Sequence, residues 1–355
     1  MNYLPARLVI EKEVADSPLV QRILADLPNT PVQWVNRLKE DTTADEGSDL
    51  EIVKFKGSFV KPCPGTRFYT CCDYQVLHLG IQCSLGCNYC ILQAYFPNSN
   101  LRLFANLEDM MQQLEEHLTK SRRRVHRIGT GEFTDSLLLD PLTHLSELLV
   151  PFFAHQPNAV LELKTKTAQV DLLEKLEHRG HTIVAWSLNP SEVIAREEPG
   201  AAVLEERLDA ARRCQEWGYR LAFHFDPLLA YPNWKQGYLE VVDHLFSAVD
   251  PSRVAWVSLG GLRFMPSLKP IIRKRSPAST ILAEEFIPGL DGKLRYFRDL
   301  RVELFRHLAG LLKGVSRNLF IYLCMESEDI WREALGFTPV EQGGLSAMLD
   351  RQALL

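Results

Sequence analysis

From about residue 75 onward the chain repeats one alternation, and that alternation leaves few folds open to it. Short apolar or β-branched runs, VLHLGI (76–81), VHRIGTG (125–131), AVLELKT (159–165), TIVAWSL (182–188), YRLAFHF (219–225) and RVAWVSL (253–259), are separated by amphipathic stretches. Strands that are apolar along their length are covered on both faces, and strands that alternate with helices run parallel because the helix carries the chain back to the starting edge. Six such units favour a closed or nearly closed barrel over a short doubly wound sheet. The expected fold is α/β, a partial (β/α)6 TIM-like barrel with its chemistry at the carboxyl ends of the strands.

The intervening stretches carry apolar residues at helical spacing. In VLEERLDAARRCQEWGY, Leu204, Leu208, Ala211 and Trp217 fall near one face, while Glu205, Asp209, Arg212 and Arg213 point elsewhere. LEDMMQQLEEHLTKSRRR, LTHLSELLVPFFA, VDLLEKLEHRG and KQGYLEVVDHLFSAV follow the same rule, so each predicts a helix. Ahead of the barrel, VIEKEVADSPLVQRILADLP predicts a short strand and a helix, and the acidic KEDTTADEGSDLE reads as a solvated loop. The expected division is a small N-terminal α/β extension and lead-in (1–74), the barrel core (75–325) and a C-terminal tail (326–355). No apolar run reaches the roughly 18–20 residues of a membrane span, and no basic leader precedes an apolar stretch at the start. The expectation is a cytoplasmic protein with no membrane partner. A net charge of −5 gives no global attraction to a polyanion, so contact with nucleic acid needs a local basic patch.

In that setting the eight cysteines are thiols or metal ligands rather than disulfides. Cys83, Cys87 and Cys90, in CSLGCNYC, follow the first predicted strand with the spacing C-x3-C-x2-C. A structural zinc site normally closes with four ligands, often two C-x2-C pairs, and no second pair follows downstream. Three thiolates with a position left open suit a metal that must bind something else, and iron–sulfur clusters are held by closely spaced cysteines. A [4Fe–4S] cluster held by three leaves one iron free. Zinc completed by His78 or an upstream cysteine is the alternative, and would make the chain a zinc-stabilised binding protein. Cys63, Cys71 and Cys72 are expected to be buried thiols, since free cysteine is among the most buried residue types.

A C-x3-C-x2-C motif with an aromatic, Tyr89, before its last cysteine resembles that of the radical S-adenosylmethionine enzymes. CNYCILQAYF and LRLF, with FVKPCPGTRFYTCCDY, TDSLLLDPLT, KTAQVDLLEKL, WSLNP, EEPGAAVLEERLDAARRCQEWGY and DPLLAYPNWKQGY, resemble in order the spore photoproduct lyase family over roughly residues 50 to 325. The resemblance implies a barrel of the radical S-adenosylmethionine type, with a [4Fe–4S] cluster on Cys83, Cys87 and Cys90 and S-adenosylmethionine as its partner cofactor. It implies reductive cleavage to a 5′-deoxyadenosyl radical, fed by a donor such as flavodoxin or ferredoxin. That radical would abstract hydrogen from a substrate, a thymine–thymine DNA adduct in the family's lyases, and a protein cysteine would return a hydrogen. Tyr89 is the catalytic candidate the resemblance offers. The chain departs from the pattern in two places. Glu132 or Phe133 stands where the family's hydrogen-donating cysteine should be, and Ile91 stands where a tyrosine follows the third cluster cysteine. A different, non-DNA substrate is therefore the alternative within the same chemistry.

The resemblance also distributes roles among strand-end residues. Glu132, in GTGEFTD, falls where the family binds the methionine amino group, and a carboxylate pairs naturally with an ammonium. Lys166 would pair the methionine carboxylate, with Ser187 and Asn189 holding ribose or adenine; an exposed lysine or a helix-capping asparagine would look the same. His224 and Asp226, in FHFDP, would meet substrate or form a buried His–Asp pair, and Arg263 would contact a phosphate or carboxylate. Three basic runs stand out: 122–124, 273–275, and the scatter Lys293, Arg295, Arg298, Arg301 and Arg306. Tyr296 and Phe297 interleave with the scatter, a combination able to grip a phosphate backbone and stack a base.

Overall fold

A computed structural model of the chain describes residues 3–38, 48–66, 68–96 and 100–354. Its main sheet has eight strands, of which seven are parallel: β1 Gln75–Leu77, β2 His126–Gly129, β3 Ala159–Thr165, β4 Thr182–Ser187, β5 Arg220–Leu228, β6 Val254–Gly261 and β7 Ile321–Leu323. They are bonded in chain order from β1 to β7, and Val60–Pro62 pairs antiparallel with β1 at the free edge. The two outer strands are not bonded to each other, so the sheet is an open, partial α/β barrel. β4 is buried at every residue, and Val184 sits between Leu163 of β3 and Leu221 of β5. Coverage on both faces is what the continuous apolar runs demand. Leu107–Lys120, Leu145–Ala154, Leu204–Glu216 and Trp234–Ala248 form the expected crossover helices. In Leu204–Glu216 the residues Leu204, Leu208 and Ala211 face inward, as their spacing requires.

Three features differ from the sequence expectation. The run VLHLGI leaves the barrel after Leu77, and Gly80–Ile81 pairs antiparallel with Leu101–Phe104 in a second sheet. The pairing of β1 with β2 ends at Val76, while on the other side the His78 N–H still donates to Phe59 O at 2.8 Å, extending the edge pairing to the bend. VDLLEKLEHRG forms only the short turn Asp171–Leu173: its backbone bonds span three residues, Glu174 N–H to Asp171 O at 3.4 Å and Leu176 N–H to Leu173 O at 3.3 Å, so no α-helical ladder follows. β7 was not expected at all; three residues are too short to show a period.

The second sheet is built on the N-terminal strand and helix, Arg7–Glu11 and Pro18–Asp26, the helix capped by Ser17. Its strand order is Val32–Val35, Arg7–Glu11, Asp49–Val53, Leu101–Phe104, Gly80–Ile81. Most of the acidic loop predicted at 39–51 lies outside the described residues, and its end, Asp49–Glu51, is strand. At the other end of the chain, the helix Leu345–Ala353 covers the amino ends of the strands. Arg127 pairs with Asp350 at 2.7 Å, and Arg220 donates to the Ala353 carbonyl at 3.0 Å. That leaves the carboxyl-end face free for a site. Among the described residues, no helix is long and apolar enough to cross a membrane.

Candidate active site

A cavity of about 270 Å³ opens at the carboxyl-end face. Cys83, Cys87 and Cys90 line it from the loop after β1, with Tyr89 between them; Glu132, Lys164, Lys166, Ser187, Asp226 and Arg263 come from the ends of β2 to β6. Burial pushes all three cysteine thiols up, so a positive centre is needed to hold them as thiolates. No three Cys, His, Asp or Glu groups among the described residues converge where a single ion would sit. A four-iron cubane is met by thiolates at separate corners, so a spread of three thiols around one cavity is the donor set it requires.

The cysteine loop is fastened by a segment that sequence reasoning did not single out. The Gly200 N–H donates to Leu85 O and the Asn88 N–H to Glu197 O, both at 2.9 Å, and the Asn88 amide donates to the Glu197 carboxylate at 2.9 Å. Gln93 returns to the loop itself, donating to Cys87 O at 2.7 Å. Beside Glu197, the fully buried Glu198 gathers the nearby donors. It accepts from the Tyr89 hydroxyl, from Lys166 Nζ at 3.0 Å, from Asn189 Nδ2 at 3.0 Å and from Arg207 Nη2 at 2.6 Å. Burial alone would raise its pKa, but the Lys166 and Arg207 charges outweigh burial and hold it at about 2. The signal in the sequence was the EEPG stretch, read only as part of the family likeness.

Across the cavity Glu132 is ion-paired with Lys164 Nζ, the side chain two positions before the anticipated Lys166. Burial lowers the Lys164 pKa, while Glu132 and then Glu162 raise it further, leaving the amine firmly charged. The intervening loop is pinned by the half-buried Asp135, which accepts from the Leu137 and Leu138 N–H groups at 3.0 Å, from Thr165 Oγ1 at 2.7 Å and from the Lys166 N–H at 2.8 Å. Gly129 is required at the end of β2, because a Cβ there would lie 1.5 Å from the Tyr74 hydroxyl that reaches over it to Glu162.

Asp226 and Arg263 form a bidentate pair at 3.0 and 2.9 Å on the cavity wall. Burial raises the Asp226 pKa and Arg263 more than reverses it. Gly260 leaves the room, since a Cβ there would sit 2.5 Å from the Asp226 carboxyl carbon.

Other anticipated residues lie elsewhere. Asn189 is off the cavity wall, its amide spent on Glu198 and on the Tyr238 hydroxyl at 3.1 Å, so it positions other groups rather than facing a ligand. His224 pairs not with Asp226 but with Glu162, at 2.9 Å, inside the barrel. Tyr296 is fully buried, stacked on Phe286 and accepting from the Ala230 N–H at 3.2 Å, so it cannot stack a base. Most of the basic scatter is structural too: Arg295 binds Asp291, Arg301 binds Glu326 and Arg298 binds Glu333. Lys293 is the exception, lining the cavity with Met325 Sδ 4.0 Å from its Nζ. Cys63, Cys71 and Cys72 are only partly buried, and Cys63 is on the cavity wall.

Residues 70–287 match the family model of spore photoproduct lyase. The chain belongs to the spore photoproduct lyase family. It is therefore an enzyme of the radical S-adenosylmethionine, lyase-like type. A spore photoproduct lyase of Geobacillus sp. (strain Y412MC61) is 25% identical over 293 residues, 80% of this chain and 86% of that protein. One from Bacillus subtilis (strain 168) is 27% identical over 206 residues, 57% of this chain and 60% of that protein. Among solved structures, a spore photoproduct lyase complexed with dinucleoside spore photoproduct superposes with a TM-score of 0.80 at 21% identity, covering 91% of this chain and all of that one. A double mutant of spore photoproduct lyase with bound AdoMet and dinucleoside spore photoproduct gives the same score and coverage. These likenesses place the family's fold on the chain.

Proposed function

We propose that this family member binds a [4Fe–4S] cluster on Cys83, Cys87 and Cys90, binds S-adenosylmethionine in the adjoining cavity, and acts on a thymine photoproduct in DNA. The observation that carries the reading is the convergence of the three motif cysteines with Glu132, Lys164 and Lys166 on one cavity. When bound, cluster and cofactor supply a 5′-deoxyadenosyl radical. The chain's residues do the rest. A methionine head is a zwitterion, and the Glu132–Lys164 pair with Lys166 beside it offers both signs: Glu132 for the ammonium, the lysines for the carboxylate. Ser187, at the end of β4, is placed for a ribose or adenine polar group. Tyr89 stays a neutral phenol: burial raises its pKa, and the Glu198 charge raises it further.

The substrate side is the wall carrying Lys293, whose amine offers positive charge to a phosphodiester beside the mutually neutralised Asp226–Arg263 pair. The names of the Geobacillus and Bacillus relatives and the dinucleoside in the solved family structures support a DNA lesion as substrate. The test is anaerobic. The reconstituted protein is reduced and given S-adenosylmethionine with and without a dinucleoside thymine photoproduct. The wild type is expected to form 5′-deoxyadenosine and repaired thymine, and Cys87→Ala to lose iron and 5′-deoxyadenosine together. Cofactor cleavage by Cys87→Ala would refute the cluster assignment, and 5′-deoxyadenosine without repair would refute the substrate.

A further inference from the structure

A carbon radical made in this cavity must be quenched by a hydrogen atom, and the walls decide which group can give one. S–H bonds are weaker than C–H bonds, so a thiol facing the cavity is the natural source. Cys63 is such a thiol, on the same cavity as the three motif cysteines but outside their loop. It directly follows the strand Val60–Pro62 that flanks β1, its N–H donating to Tyr74 O at 2.8 Å and its carbonyl accepting from the Gly65 N–H at 2.6 Å. Glu132 and Lys164, both on the cavity wall, are among the charges that act on its thiol, which places the side chain on the cavity side.

The competing groups are less suited. Tyr89 donates its hydroxyl hydrogen to Glu198, and Lys166 donates to its oxygen at 2.9 Å. Tyr95 also lines the cavity, from a short helix, but is 39% exposed, and a phenol there is open to solvent. Cys63 stands in a group with Cys71, Cys72 and Cys324, whose charges act on one another, yet Cys71, Cys72 and Cys324 are not on the cavity wall. Within the group the thiols differ in state. Burial, then Glu132, pushes Cys63 up, so it keeps its hydrogen at neutral pH. Cys71 is lowered to about 6 by its hydrogen bond with Cys72 and lies off the cavity wall, out of reach of a radical there.

We propose that Cys63 is the thiol that returns a hydrogen atom to the substrate radical. The proposal rests on the reading of the site as a radical-repair centre. The S–H bond of Cys63 breaks homolytically, and its hydrogen forms the C–H bond at the substrate carbon carrying the unpaired electron. The unpaired electron is left on Cys63 Sγ. One electron from the one-electron reductant that feeds the cluster, with a proton from solvent, restores the S–H.

The experiment compares wild type, Cys63→Ala, Cys63→Ser, Cys324→Ala and Tyr95→Phe, each reconstituted with iron and sulfide. Each is assayed in D2O with dithionite, S-adenosylmethionine and the dinucleoside thymine photoproduct. Wild type is expected to place one solvent-derived deuterium in the repaired thymine. Both Cys63 variants are expected to form 5′-deoxyadenosine within about twofold of wild type while repair falls at least tenfold. The serine variant keeps the shape of the site, so its loss reports the S–H bond rather than packing. Cys324→Ala and Tyr95→Phe are expected to repair normally. Wild-type repair and deuterium content in Cys63→Ser would overturn the proposal, as would loss of deuterium in Tyr95→Phe instead. If the wild type makes 5′-deoxyadenosine but repairs nothing, the lesion reading fails separately. Maleimide labelling of the cluster-loaded protein then decides: slowing of Cys63 labelling by S-adenosylmethionine supports its place at the reacting cavity, and an unchanged rate overturns it.

Discussion

Two buried carboxylates in this molecule look alike by their chemistry and serve different ends. Glu162 lies inside the barrel, accepting from the Tyr74 hydroxyl at 2.6 Å, His224 at 2.9 Å and the Trp256 indole at 3.0 Å. Glu198 lies under the cysteine loop, facing Lys166 and Arg207. Burial works against both charges, and in both the partners win, leaving a pKa of about 2. A perturbed carboxylate is therefore no signpost to a site by itself. The difference lies in what the partners also touch. Those of Glu162 are core aromatics and an imidazole off the cavity, whereas Lys166 and Tyr89 around Glu198 line it.

The comparison can be broken first at Arg207. Removing one partner of a fully buried pair leaves a charge without its match, so Arg207→Met is expected to cost about 3–5 kcal/mol in urea unfolding. The effect has a definite pH course. Glu198 is depressed from an ordinary 4.5 to about 2, so its contribution is fully present above about pH 4.5 and is lost as pH falls toward 2. Arg207→Met should flatten that acid limb, and an unchanged limb would mean that Glu198 is held by other groups. Next is Glu162→Gln, expected to cost about 1–3 kcal/mol by mismatching three buried donors. The amount of 5′-deoxyadenosine per folded molecule should stay the same, and a selective loss would move Glu162 into the site. Lys166→Met should act on both sides of the comparison. It removes the first of the two charges that hold Glu198, so stability also falls, and S-adenosylmethionine binding, read by equilibrium dialysis of the cluster-loaded protein, weakens about tenfold, or about 1.4 kcal/mol. Smallest is Arg298→Ala, which breaks a half-exposed pair with Glu333 and should change stability by no more than about 0.5 kcal/mol and cofactor binding not at all.

The barrel was legible because long apolar runs have one economical arrangement, and the three motif cysteines because their spacing is local. What stayed hidden was everything that depends on contacts distant in sequence. Glu198 meets Tyr89 across 109 positions. Cys63 reaches the cavity from the far side of β1. The basic scatter misled for the same reason: Arg295 and Arg301 read as surface charge, yet each is buried against an acidic partner, Asp291 or Glu326. Lys164 was overlooked because it reads as a strand residue in AVLELKT, although its amine extends to Glu132 at the mouth. The helix expected over VDLLEKLEHRG is a short tight turn, its backbone bonds spanning three residues rather than four.

The clamp between residues 83–90 and 196–200 bears on how such an enzyme ages. Its fastenings are protein to protein: Gly200 to Leu85, Asn88 to Glu197, and Ser279 to Glu197 at 2.7 Å. None of them passes through the sulfur of Cys83, Cys87 or Cys90. On the proposed cluster assignment, air that takes the iron would empty the socket and leave these bonds in place. A worn molecule would then be refitted where it is, needing iron and sulfide rather than refolding.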